Sequence, residues 1–220
     1  MTRRSIVLIT GILAAIAFAG AAFLYERYAD APVKPATAVD TLVRAHSPTM
    51  GPVEARVTIV EFFDPSCEAC RTFYPVVKQI MAEFPKEVRL VLRYLPLHEG
   101  SDEAVRILEA ARLQDKFEVV LEALSARQPE WAVHGAPDLA KAWDFAAQAG
   151  LNVDAARRVT ASPAIDAVLA QDVADAQSNS IRGTPTFFVN GKALAKFAPQ
   201  ELYDLVRSEV AATLAGPEKD

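Results

Sequence analysis

The sequence predicts an α/β fold, and three observations carry that prediction. The apolar run Val57–Phe63 is followed by Cys67-Glu68-Ala69-Cys70 and then by a helix-forming stretch from Cys70 to about Phe84. A mostly helical block separates that unit from a second strand signal at Thr186-Phe187-Phe188-Val189. Ahead of both lies Ser5–Leu24, a run of 20 residues without a charge, which predicts an N-terminal transmembrane helix before the α/β domain.

The N-terminal run reaches about 30 Å as a helix, the thickness of one bilayer core. Arg3 and Arg4 before it should stay cytoplasmic and send the rest of the chain outward. Tyr25 and Tyr28 suit the exit interface. The alternative is a cleaved signal peptide, since Ala17-Phe18-Ala19 and Ala19-Gly20-Ala21 resemble peptidase sites. The uncleaved anchor is preferred because the apolar run continues past both. Either route exports the domain to an oxidising compartment, periplasmic or extracytoplasmic. The expected division is an anchor or signal over 1–25, a linker over 26–47 and a folded domain over 48–220. The linker holds Pro32 and Pro35 and no sustained apolar face.

Within the domain, Val57–Phe63 reads as a buried strand and Val88–Leu95 as a second. Four apolar stripes at helical spacing follow, marked by Ile107 and Leu108, Val120 and Leu124, Leu139 and Trp143, and Ile165 and Leu169. They make a helical insertion at about 97–180, with Trp131 and Trp143 in its core. Asn190-Gly191 is a two-residue hairpin turn joining Thr186–Val189 to a return strand at Lys192–Ala195. Pro199 opens a last helix with Leu202, Val206 and Val210 on its inner face.

Composition narrows the function. The chain is 51% hydrophobic and 23% charged, which is globular. Its net charge of −5 argues against a nucleic-acid partner. Cys67 and Cys70 are its only cysteines, so no second pair staples the fold. A structural zinc site needs four ligands, and His46, His98 and His134 are scattered. Redox chemistry is therefore the leading reading of the pair. Cys67 falls at the start of a helix, where free N–H groups and the dipole favour a thiolate. Cys70 lies one turn inward and shielded. Cys67 should attack a partner and Cys70 should resolve the mixed disulfide. The charge of Glu68 beside Cys67 should raise its pKa and make the pair less oxidising.

The chain resembles the thioredoxin superfamily, closest to exported DsbA-like thiol–disulfide oxidoreductases with a helical insertion. The resemblance covers about Pro48–Gly216. It rests on Cys67-Glu68-Ala69-Cys70, on Pro75 five residues later, on Glu61 six residues earlier, on Gly183-Thr184-Pro185-Thr186 and on Asn190-Gly191. It implies a thioredoxin fold, a redox disulfide between Cys67 and Cys70, and a cis bond at Thr184–Pro185 that lets the Thr184 backbone pair with a substrate chain.

Glu61 inside an apolar strand is costly without a task or a partner. It is read as the proton acceptor for Cys70. The competing reading places it at an exposed strand end or pairs it with Arg93. Arg93 is read equally as a basic neighbour of that acid and as a solvent-facing strand residue, and His98 as a solvated loop residue in preference to one that faces the cysteines.

These readings point to an enzyme acting on exported cysteine-containing proteins, with a membrane redox partner, no resident cofactor and no metal. The alternative is a Cu(I)-binding protein that uses Cys67 and Cys70, or one that prepares a copper site. A disulfide isomerase ranks lower, because residues 26–47 show no dimerisation module.

Overall fold

A five-stranded mixed sheet organises the domain in this computed structural model, which describes residues 41–215. The strands are β1 (Thr49–Met50), β2 (Val57–Phe63), β3 (Val88–Tyr94), β4 (Thr186–Val189) and β5 (Lys192–Ala193). Their order across the sheet is β1-β3-β2-β4-β5. Only β2 and β3 are parallel. The crossover between them is helix α1 (Glu68–Glu83), which starts at the cysteines and runs unbroken through Pro75. The anchor expected at Ser5–Leu24 lies outside the described residues. Among the described residues no helix is long and apolar enough to cross a membrane.

The helical insertion lies between β3 and β4. It comprises α2 (Ser101–Arg112), α3 (Phe117–Ala126), α4 (Gln128–Trp131), α5 (Leu139–Gln148), α6 (Val153–Val159) and α7 (Pro163–Ser178). Its apolar stripes are buried as their spacing requires, with Ile107, Val120 and Trp131 at 0% exposure. Trp131 Nε1 donates to the Leu124 carbonyl at 2.8 Å, so the indole is satisfied inside the core. Helix α8 (Pro199–Ala215) closes the domain, burying Leu202, Val206 and Val210.

Alternation along the strands sorts the charged residues to opposite faces. Val57, Ile59 and Phe63 join the core beneath α1, α8 and most of the insertion. Glu61 shares their parity. Val60 and Phe62 join a smaller core with Leu42, Val91, Ala176 and Ile181. The parallel register sets Glu61 against Leu92 and Phe62 against Arg93. Arg93 is therefore on the far face and cannot pair with Glu61, which overturns that reading.

Nor does Arg93 face solvent: it is 0% exposed. It donates to Asp172 at 2.9 Å, to Asp175 at 2.6 Å and to the carbonyls of Thr41 and Leu42. Arg44 forks onto Asp175 at 2.8 and 2.7 Å, and His46 Nε2 lies 2.7 Å from Asp172. Burial would raise Asp175, but hydrogen bonds from Arg44 and Arg93 hold it below the usual carboxylate range. This cluster corrects the expected linker boundary. Residues 41–47 are part of the domain, because Leu42 is buried at 2% exposure and its neighbours ion-pair with α7.

Candidate dithiol site

Strand β2 ends at Phe63, and the chain must turn before α1. Asp64 makes that turn, with Oδ1 accepting from the Ser66 N–H at 2.8 Å and from Ser101 Oγ at 2.5 Å. Its Oδ2 accepts from the N–H groups of Leu97 and His98 at 2.7 and 3.0 Å, and lies 2.7 Å from His98 Nδ1. His98 is thus bound to Asp64 and is not a freely solvated loop residue. Gln128 of α4 holds the same loop from above. Its Nε2 donates to the carbonyls of Pro65 at 2.7 Å and Cys67 at 3.0 Å, while Oε1 accepts from Arg71. Sequence reasoning missed both residues. Asp-Pro-Ser after a strand is a turn signal that points to Asp64; nothing local points to Gln128.

Cys67 is the N-cap of α1, and its sulfur accepts from the Cys70 N–H at 3.4 Å. It also lies 3.3 Å from the Thr184 carbonyl. Its pKa falls from 9.0 to about 6. The largest cause is the side-chain hydrogen bond from Cys70; burial opposes it, and the Thr184 side chain and the backbone N–H groups of Cys70 and Ala69 assist. The expectation that Glu68 raises this pKa is corrected: Glu68 points to solvent and is not among the causes of the shift.

The two thiols, both free, are equally covered at 5% exposure, so exposure does not rank them. Their surroundings do. Burial pushes the Cys70 thiol up strongly, and its hydrogen bond to Cys67 and the charge of Glu61 add to the rise. Glu61 is itself raised from 4.5 to about 8, first by burial and then by Cys67. It is mid-strand and 2% exposed, which excludes the strand-end reading. Glu61, Cys70 and Tyr74 line one small, partly open cleft.

The Thr184–Pro185 peptide bond is cis, and the loop abuts Cys67. Beside it opens a groove of about 350 Å³, walled by Pro185, Phe187, Leu194 and Phe197. Phe197 is 56% exposed and stacks on Phe73 at 4.4 Å between ring centroids. Among the described residues, no three His, Cys, Asp or Glu form a metal-holding group.

A family profile described as Thioredoxin matches residues 44–207. The chain belongs to the thioredoxin family. The match begins at Arg44, which agrees with the packed segment 41–47 and not with a start at Pro48. A thioredoxin-like oxidoreductase from Silicibacter pomeroyi DSS-3 is 32% identical, with a TM-score of 0.68 over 80% of this chain and 98% of that one. The fold extends to alpha-DsbA1 of Wolbachia pipientis, 18% identical with a TM-score of 0.69 over 81% and 99% of the two chains. This thioredoxin-family chain is therefore DsbA-like in fold, with the helical insertion between β3 and β4. A protein named Na(+)/H(+) antiporter NhaA 3, from Salinispora tropica, is 37% identical over 145 residues, which are 64% of this chain and 21% of that protein. The chain spans about a fifth of that relative's length, so the antiporter name describes a much larger molecule.

Proposed function

We propose that the protein is a thiol–disulfide oxidoreductase acting on cysteine-containing exported proteins. The observation that carries this reading is the unequal pair: Cys67 ionises at about 6, while burial holds Cys70 protonated in front of Glu61. In the oxidising direction, a substrate thiolate attacks Cys67 Sγ of the Cys67–Cys70 disulfide. A mixed disulfide forms and Cys70 leaves as a thiolate, taking its proton from Glu61. A second substrate thiolate then attacks the substrate sulfur, and Cys67 leaves with the electron pair. The reducing direction runs these steps backwards, with Glu61 accepting the Cys70 proton. The Thr184 backbone holds the substrate chain beside Cys67, and the groove at Phe197 takes its apolar side chains.

A pKa of about 6 lies between about 7 for thioredoxin and about 3.5 for DsbA. The reduction potential is accordingly expected between about −270 and −120 mV. Ser5–Leu24, flanked by Arg3 and Arg4, anchors the domain on the outer side of a bacterial inner membrane, where a membrane redox partner resets the pair. Equilibration against glutathione tests the potential; a value at either limit contradicts the intermediate assignment. A Cys70→Ser variant should accumulate mixed disulfides through Cys67, and failure to trap any client from the exported fraction would sink the assignment of roles.

A further inference from the structure

The cavity behind Cys70 measures about 20 Å³. That is room for at least one water, which needs two to four polar partners. Tyr74 lines it, and its Oη is buried with no hydrogen-bond partner in the protein. An unmade hydrogen bond at a buried hydroxyl is costly, so the phenol calls for a partner. Burial raises its pKa, with Lys78 opposing and Glu122, Glu118 and Glu61 adding. The phenol therefore keeps its proton and can donate. Around Glu61 stand Cys67, Cys70, Arg71 and Tyr74 from α1 and Asp64 from the turn after β2. Beyond Tyr74 lie Lys78 of α1 and Glu118 and Glu122 of α3.

We infer that Tyr74 Oη and Glu61 share a buried water, and that Tyr74 thereby positions and tunes Glu61 for proton exchange with Cys70. The inference rests on the proton-acceptor role of Glu61 proposed above. When Cys70 resolves a mixed disulfide, its S–H bond breaks and an O–H bond forms on Glu61. The Cys67–Cys70 bond forms and the substrate leaves as a thiolate. The phenol O–H, acting through the water, favours the ionised carboxylate that this step requires.

Tyr74→Phe removes only the hydroxyl. In the full-length reduced protein, the Glu61 midpoint read by carboxyl NMR should rise by about one pH unit, tenfold fewer ionised carboxylates at a given pH. The pH profile for release of glutathione from a Cys67–glutathione mixed disulfide should move up equally, without a gain in thermal stability. An unmoved Glu61 midpoint, or a Tm gain showing that an idle unsatisfied hydroxyl has been deleted, overturns the inference. Glu61→Gln should abolish the basic limb of that profile. A limb that survives Glu61→Gln overturns the proton-acceptor role itself; a limb lost there but unshifted in Tyr74→Phe overturns only the role of Tyr74. A wild-type crystal structure should show a water within reach of both groups, and an empty cavity is equally decisive against it.

Discussion

Replacing Cys70 with Ala removes the largest contribution to the low pKa of Cys67. A hydrogen bond to a charged acceptor contributes about 1.5–3 kcal/mol, equivalent to about 1–2 pH units. Cys67 should therefore titrate at about 7–8 in Cys70→Ala, against about 6 in the wild type. At pH 7 the thiolate fraction would drop from about 90% to somewhere between about 10 and 50%. Cys70→Ser keeps an O–H donor at the same place and should hold Cys67 much nearer its original value. The assay is the ultraviolet absorbance of the thiolate against pH, cross-checked by the pH dependence of alkylation. If Cys67 in Cys70→Ala still titrates at about 6, the helix N-terminus and Thr184 account for the thiolate, and the role given to the Cys70 side chain is wrong.

Glu61 also sets a stability trend. Its folded pKa of about 8 exceeds the unfolded 4.5, so its contribution is complete below 4.5 and is lost as pH rises through 8. Glu61→Gln should thus gain on the wild type as pH rises through that window, by up to on the order of 4 kcal/mol in reduced protein. A stability gap that stays flat between pH 5 and 8 in denaturant titrations would contradict this. Arg93→Ala should cost about 3–5 kcal/mol, because it removes the fully buried cation between Asp172 and Asp175 and leaves them to the more exposed His46 and Arg44; chemical unfolding measures it, and a loss below about 1 kcal/mol would place the support elsewhere. Gln128→Leu should leave helix content intact by circular dichroism yet lower the rate of disulfide exchange, since it takes the Gln128 donor from the Pro65 carbonyl and one of two donors from the Cys67 carbonyl, which keeps only the Arg71 N–H; unchanged exchange kinetics would remove α4 from the site.

What was legible in the sequence was local or periodic. The strand before the cysteines, the insertion's apolar stripes and the Asn190-Gly191 turn follow from short-range rules, and the structure places them where those rules put them. Charged partners were illegible because they meet across long separations. Asp172 sits in the chain 79 residues from Arg93, and each looks like a solvent residue on its own element. One clue was available: Asp172 follows Leu169 by three residues, on the buried stripe of α7. The face of Glu61 could be read from alternation, but the far-face position of Arg93 needed the register with β3. The linker reading of 41–47 failed because the lone apolar pair Leu42-Val43 gives no periodicity, while the arginine that Leu42 caps is 51 residues away.

Gln128 has both donors engaged by the turn and its acceptor by Arg71 of α1, so its amide is held in one orientation. Glutamate there would set a carboxylate against two carbonyl oxygens now held at 2.7 and 3.0 Å. The insertion is therefore more than a cover laid over a self-sufficient redox core. A minimal protein made by excising it would retain both cysteines and the cis-proline loop, but would lose the Gln128 amide that ties the carbonyl of Pro65 to that of Cys67. Anyone shortening this scaffold should expect an intact sheet carrying a slackened, sluggish dithiol.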